Sequence, residues 1–148
     1  MKLIRITTDN EISVHEFPDG SQAEQNETLC KLVGDNCEFL EHVMPVNLYK
    51  ELGASHCAQK EKGMAVCMLV DEEGHFHGNE NVNAVGSFLY GSTSHGIPIV
   101  GNILIAGEYL TQDGRKICGI AESQFKLIYP QLRKLSQRAK LYQEIRRR

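Results

Sequence analysis

The chain has 148 residues, of which 41% are hydrophobic and 24% are charged, and its formal net charge is −3. A chain of this length fits one domain with a substantial core, and this composition excludes a fibre or a globally disordered chain. No apolar run approaches the roughly 20 residues of a membrane-spanning helix, and residues 1–6 alternate too early for a signal peptide, so we expect a cytoplasmic protein.

The N-terminal third predicts a β-hairpin followed by a capped helix. Residues 2–7 and 11–17 have strand-like patterns, and Asp9-Asn10 between them is typical of a turn. Ser21 is a helix N-cap residue, and Glu24, three positions later, completes a capping box. We therefore expect a helix over residues 21–33 that ends at Gly34.

The middle of the chain predicts buried strands separated by short helices. The run MAVCMLV over residues 64–70 is typical of a strand buried on both faces, and IPIVGNILIA over 97–106 predicts a second one with a bend at Gly101-Asn102. A helix is expected over 81–90. Further strands are expected over 37–44 and 116–120, and a short helix over 46–52.

The C-terminal segment is predicted to be helical from Ala121, with Pro130 either kinking the helix or starting a new one. Residues 126–148 carry eight basic residues and one acid, a net charge of +7, whereas the rest carries eight basic and eighteen acidic residues, or −10. A heptad-like stripe runs along this segment: Ile128, Leu132, Leu135, Ala139, Tyr142 and Ile145.

Together these patterns predict a single α+β domain with a mixed or antiparallel sheet and packed helices. We expect residues 1–125 to form the compact domain. Residues 126–148 would be a basic amphipathic helix, either part of that domain or an oligomerisation arm. Its stripe would pack on the chain's own sheet or pair with another copy, in a homodimer or higher homo-oligomer.

The cysteine pattern bears on metal binding and redox chemistry. Five cysteines without a C-x-x-C motif argue against both a disulfide framework and a zinc knuckle, and they predict reduced, mostly buried thiols. His56 and Cys57 are adjacent, but sequence neighbours do not normally face each other for proton transfer, so a nucleophile pair is not favoured.

The stretch from Asp71 to His77 concentrates possible metal ligands. On a strand, His75 and His77 would point to one face, and a third protein ligand would come from elsewhere, for instance His95, His56 or His42. A metal-dependent hydrolase would use Asp71, His75 and His77. The simpler interpretation is a polar turn after a buried strand, in which Gly74 permits the reversal. We favour the turn and keep the metal hydrolase as an alternative.

Two further stretches are candidate binding sites. Residues 91–96 (GSTSHG) predict a loop between a helix and a buried strand, and its candidate ligand-binding residues are Ser92, Thr93, Ser94 and His95. No G-x-S-x-G motif surrounds these residues, which argues against a hydrolase of that type. In the basic tail, the candidate nucleic-acid-binding residues are Arg133, Lys134, Arg138 and Lys140.

The stretches CKLVGDNCEFLEHV, MAVCMLVDEEGHFHG, NVNAVGSFLYG and GIPIVGNILIAGE resemble an uncharacterised small-domain family, a domain of unknown function carried by phages, plasmids and integrated mobile elements. The resemblance covers about Leu29 to Glu108. It implies a compact α+β fold with no assigned catalytic residue, and it does not extend to the basic tail.

From this resemblance and the residue patterns we expect a non-enzymatic binding protein without a cofactor or a membrane partner. Its role would be counter-defence, by capture of a host defence protein or a small, nucleotide-like signalling ligand. The alternatives are a nucleic-acid-binding accessory protein that uses the C-terminal helix, and the metal hydrolase above.

Overall fold

The fold is a six-stranded antiparallel sheet with helices on both faces. The computed structural model describes residues 1–76 and 81–147, and of His95 only the backbone. The strands are β1 (Lys2–Ile6), β2 (Ile12–Glu16), β3 (Leu40–Val43), β4 (Ala65–Asp71), β5 (Ile103–Thr111) and β6 (Gly114–Cys118). The helices are α1 (Gln22–Val33), α2 (Val46–Lys50), α3 (Ala84–Tyr90), α4 (Ser92–His95) and α5 (Glu122–Arg147).

The sheet confirms the expected α+β class and shows that the pairing is antiparallel. Its strand order is β2-β1-β5-β4-β3, and β6 pairs with β5. The long strand β5 is the centre, since it pairs with β4 on one side and with β1 and then β6 on the other. Over the described residues, no helix is both long and apolar enough to cross a membrane.

The first face of the sheet is covered by α2, α3 and α5. Its strand residues include the fully buried Ile4, Met68 and Ile105, and the helices add side chains such as Leu48, Leu89 and Ile128. Beside this apolar cluster α5 also buries one polar residue, Ser136, which is 1% exposed. This face is nevertheless the main apolar core.

The second face is smaller and is covered by α1. The capping box predicted for this helix is present: the Glu24 backbone N–H donates to Ser21 Oγ, and the Ser21 N–H donates to Glu24 Oε1, both at 3.2 Å. Leu29 and Val33 of α1 pack on Leu104 and other strand residues of this face. The helices thus cover both faces of the same sheet, with α2, α3 and α5 on the first and α1 on the second.

Asn83 fixes the start of α3 against the sheet. Its side chain is fully buried, and its Oδ1 accepts from the Gly86 backbone N–H at 2.8 Å as an N-cap. Its Nδ2 donates to the carbonyl oxygens of Ile6 and Gly101 at 3.0 Å each. One amide therefore caps a helix and joins it to the end of β1 and to the bend before β5.

Several predicted boundaries shift by two to three residues, among them the start of α3 at Ala84 and the bounds of β6, Gly114–Cys118. Two differences are larger. The strand expected over 97–106 begins only at Ile103, because Gly101 has a φ of +79°, a left-handed conformation that interrupts an extended chain. The loop expected over 91–96 contains the short helix α4, which is framed by Gly91 and Gly96, both with a φ of +77°.

The C-terminal helix is continuous through Pro130, where a kink or a new helix was expected. Pro130 lies on the exposed side of α5, so water can satisfy the carbonyl that loses its intrahelical partner. The stripe divides into two parts. Ile128 to Ala139 pack on the first face, whereas Tyr142 and Ile145 are 64% and 55% exposed.

Candidate functional sites

The acidic stretch after β4 forms a turn. Asp71 is the last residue of the strand, and its Oδ1 accepts from the Glu73 backbone N–H at 2.9 Å. Gly74 is buried where the chain reverses, and its N–H donates to the Asp71 carbonyl. His75 is exposed, and His77 lies outside the described residues. The metal site at Asp71, His75 and His77 therefore stays the untested alternative to the turn.

The candidate ligand-binding residues 92–95 lie in α4. Ser92 is partly buried, and over the described part of the chain its Oγ has no hydrogen-bond partner. Thr93 and Ser94 are exposed, and the side chain of His95 lies outside the description. The role of these residues in ligand binding stays a prediction.

The candidate nucleic-acid-binding residues are distributed around the outer surface of α5. Arg133, Lys134 and Arg138 are exposed, whereas the ammonium group of Lys140 forms an ion pair with Glu11 of the β1–β2 hairpin. At 3.6 residues per turn, Lys134 and Arg138 project from the same side of the helix and Arg133 from another. The structure thus offers two neighbouring exposed cations on one side rather than a row of four.

A cluster of polar side chains lies on the second face of the sheet. No motif in the sequence predicted it. We call it the polar diagonal, and it consists of His42, Cys67 and Glu108, on the adjacent strands β3, β4 and β5. His42 pairs with Leu69, two residues from Cys67, and Cys67 pairs with Ala106, two residues from Glu108. Because side chains two residues apart share a face, the three project from the same face along a diagonal line.

The carboxylate of Glu108 is the centre of this cluster. Its side chain is only 4% exposed, and its Oε1 accepts a hydrogen bond from His42 Nε2. Arg115 on β6 places its Nη1 3.7 Å from Glu108 Oε2. His42 is 37% exposed, so the cluster connects a buried carboxylate with the solvent. Buried acids are rare unless they are paired, and such groups often mark functional sites.

The surroundings shift the ionisation of all three groups. The hydrogen bond to Glu108 raises the pKa of His42, although partial burial opposes this. Burial raises the pKa of Glu108, but the hydrogen bond and charge of His42 outweigh it and hold this pKa below its usual range. Burial, with the nearby carboxylate, raises the pKa of Cys67 well above its usual value, so its sulfur is a thiol at neutral pH.

A second candidate site is a groove beside the end of α5. We call it the tail groove, a cavity of about 450 Å³ between the last turns of α5, the β1–β2 turn and the residues that precede α3. The described residues that matter for its chemistry are Asn10, Val82, Tyr142, Gln143, Arg146 and Arg147.

The polar contacts of Asn10 make this groove unusual. Asn10 is 6% exposed and has a φ of +64°, a left-handed conformation that asparagine tolerates. Its Nδ2 donates to Gln143 Oε1 at 3.2 Å, whereas its buried Oδ1 has no partner over residues 1–76 and 81–147. A buried acceptor without a partner costs free energy, and it belongs to a residue that lines this groove.

Sequence reasoning missed the polar diagonal because it did not place these three residues on neighbouring strands. His42 was considered only as one of three possible partners for an acidic turn, and the strand containing Glu108 was expected to end at Ala106. Had β5 been extended by two residues, the alternation of Leu104 and Ala106 with Glu108 would have placed an acid on an inward-facing position.

The comparisons with known proteins add no relative. No family model matches the chain, and neither the curated proteins nor the solved structures contain a match. The resemblance to a mobile-element family therefore stays an expectation from the residues quoted above.

Proposed function

We propose that this protein acts by binding, and that it captures a small anionic ligand of nucleotide-like chemistry in the tail groove. The observation that carries the proposal is the combination of two arginines and an exposed aromatic ring around one cavity. Its volume of about 450 Å³ is within the range of small-molecule sites, about 300–1,000 Å³.

The arginines supply the anion-binding end. Arg146 and Arg147 occupy consecutive positions in the last turn of α5, and both line the groove. Guanidinium groups form paired hydrogen bonds with phosphate and carboxylate oxygens, which a single ammonium group cannot match. This favours a phosphate-bearing ligand.

The apolar wall suits the body of such a ligand. Tyr142 and Val82 line the groove and are 64% and 48% exposed. A base stacked on the tyrosine ring would gain both dispersion and hydrophobic burial.

A thermal-shift experiment tests this proposal. Nucleoside mono- and triphosphates, cyclic dinucleotides and inorganic phosphate would be added separately to the full chain. At about 100 times its dissociation constant, a ligand stabilises the folded state by about 2.7 kcal/mol. We expect at least one nucleotide to raise the melting temperature more than phosphate does.

Matched variants show whether the rise in melting temperature depends on the residues of the tail groove. The double variant Arg146→Ala, Arg147→Ala should lose the shift, and Tyr142→Ala should reduce it. The control Arg133→Ala, Lys134→Ala removes the same charge from α5 outside the groove, and it should keep the shift. A melting curve that no nucleotide moves, or equal losses in both double variants, would contradict ligand capture here.

A second candidate function is nucleic-acid binding by the outer side of α5. The exposed Lys134 and Arg138 on one side of the helix favour it. Fluorescence anisotropy with a labelled DNA duplex should then show affinity that falls between 50 and 200 mM salt, by roughly tenfold for every two phosphates that the helix neutralises. The variant Lys134→Ala, Arg138→Ala should weaken binding, whereas Tyr142→Ala should leave it unchanged.

In the mobile-element context suggested by the sequence, capture of a nucleotide-like signal would serve counter-defence. The ligand panel above includes the molecules that such a role requires. Capture of a host protein instead would leave the melting curve unchanged across the panel, which separates it from the small-ligand proposal.

A further inference from the structure

We propose that the polar diagonal is a metal site, in which His42 Nε2, Cys67 Sγ and a Glu108 carboxylate oxygen bind Zn²⁺ or a similar transition-metal ion. This site lies on the second face of the sheet, whereas α5, which carries the tail groove, covers the first. The proposal does not depend on the function of that groove.

The geometry already brings the ligand atoms together. One ligand atom from each residue lies within 4.8 Å of the other two. In a tetrahedral zinc site the metal–ligand distances are about 2.0–2.3 Å, so the ligand atoms are about 3.3–3.8 Å apart. The remaining adjustment is a matter of side-chain rotation, since the three positions are fixed on hydrogen-bonded neighbouring strands.

The donor set selects the class of metal. One nitrogen, one sulfur and one carboxylate oxygen form the mixed set that Zn²⁺ accepts, whereas Mg²⁺ and Ca²⁺ prefer oxygen ligands alone. Three protein ligands also leave a fourth tetrahedral position. Because His42 is 37% exposed, that position can be reached by water or by a small ligand.

Metal binding releases protons from the site. Binding forms a bond between the metal and Cys67 Sγ, and the thiol proton leaves to solvent. The proton that His42 Nε2 donates to Glu108 also leaves this nitrogen, to solvent or by a shift to Nδ1, so that Nε2 can bind the ion. The His42–Glu108 hydrogen bond is replaced by one metal bond to each side chain. Two anionic ligands then neutralise the dication, and Arg115 remains near the second oxygen of Glu108 to hold the carboxylate in position.

The alternative is that the His42–Glu108 pair only satisfies a buried carboxylate. In that interpretation Cys67 contributes only weak thiol hydrogen bonds, to the Glu108 carboxylate and to the Gly107 carbonyl oxygen, and it binds no ion. The two interpretations therefore differ most at Cys67, which a cobalt experiment can address directly.

The test uses Co²⁺ as a spectroscopic probe on the full chain, purified and stripped of metal. We expect one equivalent of Co²⁺ to produce a sulfur-to-cobalt charge-transfer band in the near ultraviolet and visible bands of four-coordinate intensity. One equivalent of Zn²⁺ should remove them. A competing chromophoric chelator would then measure the Zn²⁺ affinity.

Matched variants identify the ligands. Cys67→Ser should abolish the near-ultraviolet band, and His42→Ala and Glu108→Gln should each weaken Zn²⁺ binding by about tenfold or more, equivalent to about 1.4 kcal/mol. The controls are Cys57→Ser and His56→Ala, which change a cysteine and a histidine outside the polar diagonal, and both should bind as the unmodified chain does.

Circular dichroism of each variant excludes loss of the fold as the cause. If Cys67→Ser does not fold, Glu108→Gln keeps the thiol and nearly the same side-chain shape, and it decides the question through the affinity. Absence of the charge-transfer band in the unmodified chain overturns the proposal, as does a band that Cys57→Ser removes.

Discussion

The two faces of the sheet differ in the kind of side chain that they bury. The first face is covered by three helices, and the polar side chains that these helices bury in the described part of the chain, Asn83 and Ser136, are uncharged. The second face is covered by α1 alone, and beside its apolar cluster lies the buried carboxylate of Glu108. Burial of a charge costs free energy that burial of an apolar residue would not, so the second face carries a feature that stability does not require.

The largest loss of stability is expected from a substitution at a tightly packed glycine of the first face. A Cβ atom added at Gly107 would lie 2.2 Å from the carbonyl oxygen of Gly119 and 2.8 Å from the Cα atom of Gly63. Gly107→Ala should therefore prevent stable folding or lower the free energy of unfolding by more than about 3 kcal/mol. Chemical denaturation followed by circular dichroism measures this change.

Gly34→Ala is the matched control for that variant. An added Cβ at Gly34 meets no atom within 4 Å, and its φ of 175° is extended backbone that any residue adopts. Its free energy of unfolding should change by about 0.5 kcal/mol or less. Similar losses in both variants would show that Gly107 is not specially constrained.

A pair of truncations at adjacent positions compares the two faces directly. Ile105 and Leu104 are both fully buried, on the first and second face respectively. Each change to alanine should lower the free energy of unfolding by about 2–5 kcal/mol, because both apolar clusters belong to one cooperative unit. A urea titration in which Leu104→Ala costs less than about 0.5 kcal/mol would show that the second face folds separately.

A smaller effect is expected at the N-terminus of α1, the helix that covers the second face. Ser21→Ala removes the hydroxyl that accepts from the Glu24 backbone N–H, and should cost about 1 kcal/mol. Ser21→Thr keeps the acceptor and should restore most of the loss. Equal melting temperatures for the alanine variant and the unmodified chain would contradict the capping role.

The smallest change in stability is expected when the buried carboxylate of Glu108 is replaced. In metal-free buffer, Glu108→Leu should leave the free energy of unfolding within about 1 kcal/mol of the unmodified chain, or raise it, because a hydrophobic side chain often replaces a buried ion pair without loss. His42 is partly exposed and can remain neutral. A loss above about 3 kcal/mol would show that the carboxylate is needed for the fold.

Local patterns were sufficient to predict several elements. The capping box at Ser21 and Glu24 placed the start of α1, and the continuous apolar run before Asp71 placed β4, because each depends on neighbouring residues alone. The interruption at Gly101 was expected as a bend inside a strand. It instead delays the strand to Ile103, since a left-handed residue ends extended pairing.

The sequence by itself determined the apolar periodicity, the helix caps, and the division into a basic C-terminal segment and an acidic remainder. Each of these is a property of residues that are close together in the chain. Only the tertiary structure decided that His42, Cys67 and Glu108 meet, because their proximity follows from the register of three strands far apart in the chain. It also decided that the stripe of α5 is covered as far as Ala139 and exposed at Tyr142, since burial of each helical turn depends on which other elements pack against it.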